Sequence, residues 1–186
     1  MKSDVVKFGN FFHQNKFYSI ILTWFKKNQR SLYWRKNRSL YLTYLTEIML
    51  QQTTVNTVEN KLISYLEKFP DFKSYKKKSM NDLLNSWSGL GFYNRAENLY
   101  KSINIINKKY GGKLPYNKID LLKLPGIGEY TANAIIAIGY NRKAYPVDVN
   151  IRRLISRLID RPFADKDISE ILQSTFKNRI NYRNFS

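Results

Sequence analysis

Two carboxylates and a phenol stand where this sequence could do chemistry. Glu47 lies in "TEIMLQQT", flanked by apolar residues that would strip water from it. Burial raises a carboxyl pKa by up to ~3–5 units, which would suit a general acid near neutral pH. Judged on residue type alone, a half-exposed helical glutamate paired with a lysine is the commoner outcome. Asp148, in "VDVN", directly precedes a helical pattern, where aspartate is a favoured N-cap. The two roles are compatible, because one oxygen can cap while the other faces a cleft. Tyr130 taken by itself reads as a packed aromatic.

A third element of chemistry is "LPGIGEYTA", residues 124–132. Two helices joined by Pro-Gly-x-Gly make a tight hairpin whose backbone N–H groups can approach a ligand closely. The following helix adds free N–H groups and a positive dipole end, so a phosphate is the natural guest. Many helix hairpins use such glycines only to turn. The run "GLGFYN" lacks a third glycine and a preceding strand, so a dinucleotide fingerprint is rejected.

Composition narrows the partners. Lys and Arg number 32 against 14 acidic residues, a net charge of +18, which draws a chain to polyanions. An AT-rich coding bias, visible in the crowding of Lys, Asn, Ile and Tyr, supplies an alternative source of that charge. No cysteine is present, which excludes a disulfide framework and a thiolate metal site. The one histidine, His13, excludes HExxH and any multi-histidine zinc site, and reads as an ordinary N-terminal side chain. No window approaches the ~20 apolar residues of a spanning helix, and the first residues lack a signal-peptide pattern.

The elements that must position these groups are helices, since apolar residues recur at helical spacing almost throughout. Phe17, Ile20, Ile21, Trp24 and Phe25 predict a first amphipathic helix. "YLTYLTEIMLQQ" predicts a second, with Leu42, Leu45 and Met49 on one face and Thr43, Glu47 and Leu50 on another. Val55 to Phe69 predicts a third, stopped by Pro70, and Ser79 opens a fourth that runs to Trp87. Ala96 to Tyr110 predicts a long helix closed by Gly111-Gly112. A short helix through Leu121 and Leu122 precedes the hairpin, and another begins near Glu129. The last follows Asp148, with Leu154, Ile155, Leu158 and Ile159 facing inward and Arg152, Arg153 and Arg157 outward. The fold class is all-α.

Taken together, "WRKN…YLTYLTEIMLQQTTVNTV", "WSGLGFYNRAENL", "YGGKLP", "LPGIGEYTANAI" and "VDVNIRRLISRL" resemble the adenine DNA glycosylases of the MutY family, in the helix-hairpin-helix superfamily. Five motifs in order, over about residues 15 to 186, are more specific than any one. The resemblance implies a two-lobed helical glycosylase fold with its site in the cleft between lobes. One lobe would span about 40–145, and the second about 10–35 plus 146–186, incomplete at its C-terminal end. It implies excision of adenine mispaired with 8-oxoguanine or guanine in double-stranded DNA, by a cytoplasmic, nucleoid-associated monomer with no membrane role.

Residue by residue, Glu47 resembles the family's catalytic glutamate and Asp148 its hairpin-proximal aspartate. Tyr130 occupies the place of the Schiff-base lysine of bifunctional relatives, which implies a monofunctional enzyme. Trp34, Arg35, Leu50 and Val55 match the extruded-base pocket, and Gln52, Thr53, Leu90 and Phe92 match residues probing the stack around the estranged guanine. Gly126, Gly128 and Thr131 match the phosphate-binding hairpin, whose carbonyls at Leu122, Leu124 and Ile127 are implied to hold a monovalent cation. The family usually carries a [4Fe-4S] cluster on four cysteines beyond "NYRNF", then a domain reading 8-oxoguanine. Those cysteines are absent here, so no cofactor is expected and the chain reads as a shortened form of the family. A thymine/guanine mismatch glycosylase and a non-catalytic hairpin DNA-binding module are the competing readings.

Overall fold

In the computed structural model, which describes residues 17–160, 162 and 164–175, helices account for all regular structure among the described residues. They are α1 (Phe17–Asn28), α2 (Tyr33–Lys36), α3 (Leu40–Met49), α4 (Val55–Lys68), α5 (Met80–Trp87), α6 (Asn94–Lys109), α7 (Lys118–Leu122), α8 (Glu129–Ala134), α9 (Val149–Ile159) and α10 (Asp165–Thr175). A 3₁₀ turn lies at Ser74–Lys77, and α8 runs on as a π turn, Ile135–Gly139. His13 lies outside the described residues.

The sequence marks half of these helix starts by supplying a side-chain acceptor for the free N–H groups of the first turn. Ser39 caps α3 through Leu42 N–H at 3.0 Å, and Thr54 caps α4 through Thr57 N–H at 3.3 Å. Ser79 and Asp82 form a reciprocal capping box on α5, and Asn117 caps α7. Gly111 and Gly112, at φ +61° and +79°, stop α6 as the sequence predicts.

Helix α3 is the axis of the core. Tyr41, Leu42, Tyr44, Leu45, Thr46, Ile48 and Met49 are all buried along it, so it is wrapped rather than one-sided. Helices α6 and α8 and the π turn pack against it. At the π turn the approach is so close that a Cβ on Gly139 would stand 3.1 Å from Leu40 Cδ2. Buried phenols are satisfied in a chain: Tyr41 Oη donates to the Phe69 carbonyl (2.6 Å), and Tyr75 Oη bonds both Tyr41 (3.0 Å) and Tyr65 (2.8 Å). Thr43, Glu47 and Leu50, the second face read from the sequence, form the half-buried side of α3.

Two expectations need correction. Ile20, Ile21 and Trp24 on α1 are 58%, 40% and 63% exposed, so this helix forms but its apolar side is open. On α9, Ile155 is buried, whereas Leu154 and Leu158, expected inward, are exposed. Periodicity fixes which residues share a stripe, but burial also needs a neighbour. Among the described residues α9 packs on α10, yet of this stripe only the Ile155 side chain is seen buried.

Candidate functional site

Glu47 sits near the end of α3, half-buried, two residues before the helix stops at Met49. Burial is what moves its carboxyl, pushing the pKa up to about 7. It is therefore poised to exchange a proton near neutrality, as its apolar flanks predict.

Tyr130 lies in the first turn of α8, partly exposed, its hydroxyl held well above its ordinary pKa. Burial is the largest cause, followed by the negative potential of Glu47 and then of Asp148. Two carboxylates distant in sequence thus lie within electrostatic reach of Tyr130. Beside Tyr130 runs a groove of about 420 Å³, which Lys118, Glu129, Asn133, Val147 and Asp165 also line.

Asp148 does cap α9: its Oδ1 accepts the Ile151 N–H at 2.7 Å. Its Oδ2 accepts from the Asn150 side-chain amide at 3.1 Å. The carboxylate is half-buried, so capping leaves part of it open to solvent.

The hairpin that carries Tyr130 is built by backbone constraints. Gly126 has φ +80°, and a Cβ there would meet Asn98 Cβ on α6 at 3.0 Å, so both conformation and space demand glycine. Ile127 N–H closes the turn on the Leu124 carbonyl at 3.1 Å. Gly128 is exposed, as a phosphate contact requires, but the Thr131 side chain is buried. Its hydroxyl accepts from the Gln51 amide at 3.3 Å, and the same amide donates to the Gly126 carbonyl at 3.3 Å. At 3% exposure Thr131 supports the hairpin from inside rather than facing an outside ligand. Gln51 is a site residue that sequence reasoning missed; its neighbour Gln52 was singled out instead.

The residues matched to stack probing lie on two adjoining loops, between α3 and α4 and between α5 and α6. Gln52 and Phe92 are exposed, with φ of +56° and +47°. Leu90 is buried, and Thr53 Oγ1 donates to the Leu90 carbonyl at 3.2 Å, so these two join the loops rather than project from them. Of the pocket residues, Trp34 and Leu50 pack on the core, Val55 opens α4, and Arg35 lies 5.4 Å over the Phe25 ring. None of the four lines the groove beside Tyr130.

A second missed residue is Arg95, 8% exposed, whose guanidinium is buried between the two loops. The signal was present, since Arg95 stands on the same stripe of α6 as Leu99, Ser102, Ile103 and Ile106. A charge on an apolar stripe marks a buried cation with something to hold.

This arrangement defines a class: a helical scaffold with a Gly/Pro hairpin, a desolvated glutamate and a capping aspartate, both within electrostatic reach of one phenol. The chain belongs to the HhH-GPD superfamily base excision DNA repair proteins, whose family model matches residues 45–177. It is 36% identical over 163 residues to an adenine DNA glycosylase of Buchnera aphidicola subsp. Baizongia pistaciae, covering 87% of this chain and 46% of that protein. It is 43% identical over 143 residues to the adenine DNA glycosylase of Buchnera aphidicola subsp. Acyrthosiphon pisum, covering 76% of this chain and 41% of that protein. The chain thus spans less than half the length of these two relatives. Among solved structures, a thermostable thymine-DNA glycosylase superposes with a TM-score of 0.78 at 27% identity, over 92% of this chain and 83% of that one.

Proposed function

We propose that this chain carries the catalytic region of a monofunctional adenine DNA glycosylase, which hydrolyses the N-glycosidic bond of adenine opposite 8-oxoguanine or guanine. The observation that carries the reading is Glu47, its carboxyl pKa raised to about 7 by burial, with Asp148 likewise close enough to Tyr130 to act on its hydroxyl electrostatically. The adenine must leave the duplex to be reached, at a cost of a few kcal/mol that is least for a mispair. Protonated Glu47 gives its proton to a ring nitrogen of the extruded base. The C1′–N9 bond then breaks with its electron pair going to the base, which departs as neutral adenine. The sugar is left as an oxocarbenium-like cation, which ionised Asp148 stabilises. Water adds at C1′, and its surplus proton passes to a carboxylate or to solvent. Tyr130 offers no amine, so no imine forms and no strand is cut by elimination.

DNA would be gripped by the exposed hairpin N–H groups and the +18 charge, as a monomer with its site between the two lobes. The carbonyls of Leu122, Leu124 and Ile127 would hold a monovalent cation. In support, the Leu124 carbonyl accepts the Ile127 N–H in the turn and keeps a second lone pair. No cysteine is present in the 186 residues, so no thiolate set of this chain fits an iron–sulfur cluster.

Single-turnover incubation with duplexes carrying A opposite 8-oxoguanine, A opposite G and T opposite G tests the reading. Release of adenine from the first two supports it. Release of thymine alone would instead favour the second reading, a T/G glycosylase, which the likeness to the thymine-DNA glycosylase keeps in play. Binding of duplex without release of any base would leave the hairpin as a binding module.

A further inference from the structure

The Arg95 guanidinium, buried between two exposed loops, is used by none of the steps above. Its Nη1 donates to the carbonyls of Ile48 (3.2 Å), Met49 (2.7 Å) and Gln51. Its Nη2 donates to Thr53 Oγ1 (2.7 Å) and to the carbonyls of Leu90 (2.8 Å) and Gly91 (3.1 Å). Among the described residues no carboxylate pairs with it; the charge is met by the last carbonyls of α3, at the negative end of that helix dipole. The rings of Trp87 and Phe92 lie 5.5 and 5.4 Å from the guanidinium carbon.

These acceptors bracket the two residues in left-handed conformations. Gln51 and Thr53 flank Gln52 at φ +56°, and Leu90 and Gly91 precede Phe92 at φ +47°. A non-glycine residue held there costs of order 1–3 kcal/mol and persists only where its surroundings over-determine it. One guanidinium supplies that restraint to both loops at once. What it holds out is chemically specific: an exposed amide on one loop, able to read a base edge, and on the adjoining loop an aromatic ring 58% exposed and able to stack on a base.

We propose that Arg95 is a positioning residue for opposite-strand recognition, presetting Gln52 and Phe92 as one rigid reading head against the base facing the excised adenine. The assignment rests on the glycosylase reading above. A lysine cannot replace it, because one ammonium lacks the planar fork that reaches both loops.

The test compares Arg95→Lys and Arg95→Met with the unmodified chain on two duplexes. In one, adenine faces 8-oxoguanine; in the other it faces a tetrahydrofuran abasic analogue, which offers no base to read. A purely structural role lowers both single-turnover rates together. The positioning role lowers the ratio of the first rate to the second, here by at least tenfold. A ratio within twofold of the unmodified chain, whatever the absolute rates, overturns the assignment. Circular dichroism checks folding. If both Arg95 variants unfold, Thr53→Val removes one acceptor and the cross-loop bond alone; it should cut the ratio three- to tenfold, and an unchanged ratio overturns the proposal. Inactivity of the unmodified chain on both duplexes overturns the glycosylase reading itself, and Arg95's role with it. Activity with an unaltered ratio in the variants overturns only the role.

Discussion

Gln51, just past the end of α3, hydrogen-bonds the buried Thr131 hydroxyl and the Gly126 carbonyl, each at 3.3 Å. The helix that carries Glu47 is thereby tied to the hairpin that carries Tyr130. Replacing Gln51 by leucine removes both bonds and leaves the Thr131 oxygen short of a donor. Such a loss typically costs about 1–3 kcal/mol. We expect a lower melting temperature and a drop in adenine release greater than the drop in DNA affinity. Equal losses in release and affinity would mean that Gln51 supports the hairpin alone.

Asp148→Asn separates capping from chemistry, since Asn and Asp cap about equally well. Stability should hold, while loss of one preorganised charge interaction should cost ~10²–10³ in rate. Asp148→Ala should lose the rate and, in addition, about 0.5–2 kcal/mol of stability. Thermal melts beside single-turnover adenine release make the comparison. An Asn variant cleaving at the unmodified rate would reduce Asp148 to a cap.

Glu47 links activity and stability to pH in the same direction. Its folded pKa of about 7 lies above the ordinary 4.5, so the native state keeps a proton that the unfolded chain has released between those values. Its carboxyl therefore subtracts stability progressively from about pH 4.5 to 7, with no further loss above. Glu47→Gln should melt close to the unmodified chain at pH 4.5 and above it by the order of 1–3 kcal/mol beyond pH 7. Release of adenine by the unmodified chain should fall about tenfold per pH unit above 7, as the proton donor empties. A rate flat from pH 6 to 9 would remove Glu47 from the role of acid.

Tyr130→Lys places an amine beside both carboxylates, where an imine with the abasic sugar becomes possible. Borohydride should trap that variant on DNA and leave the unmodified chain largely free, since Lys123 is committed to Asp120 at 2.8 Å. Strong trapping of the unmodified chain would contradict monofunctional chemistry.

Phosphate contacts should dominate affinity. If ~4–6 phosphates are neutralised, log K should fall against log salt with a slope near −4 to −5. A slope close to zero in duplex titrations would deny the hairpin and the +18 charge their role.

Much of this was legible in the sequence because the signals were local. Ser79 and Asp148, caps named from the sequence, each cap a helix through a bond spanning three residues; Ser39, Thr54 and Asn117 do the same at positions the sequence reading leaves unmarked. Glu47 carried its own desolvating neighbours. Gln51 and Arg95 were harder, since their partners lie 75 to 80 and 42 to 47 residues away for the longest bonds, and nothing local names them. The stripe containing Leu154 and Leu158 was visible, yet a stripe does not say what covers it. Thr131 illustrates the converse: the motif located it at the hairpin, but only packing shows its hydroxyl turned inward.

The close seat of Gly126 on Asn98 has one more implication. Asn98 lies one turn along α6 from Arg95, about 4.5 Å of helix rise. The hairpin and the loops bearing Gln52 and Phe92 therefore take their spacing from a single helical turn, which acts as a fixed ruler. If the hairpin grips phosphates and Gln52 and Phe92 read bases as proposed, phosphate register on one strand and base inspection on the other would be locked together. On that reading a duplex whose geometry does not match the interval would itself have to deform, so the DNA rather than the protein would bear the adjustment.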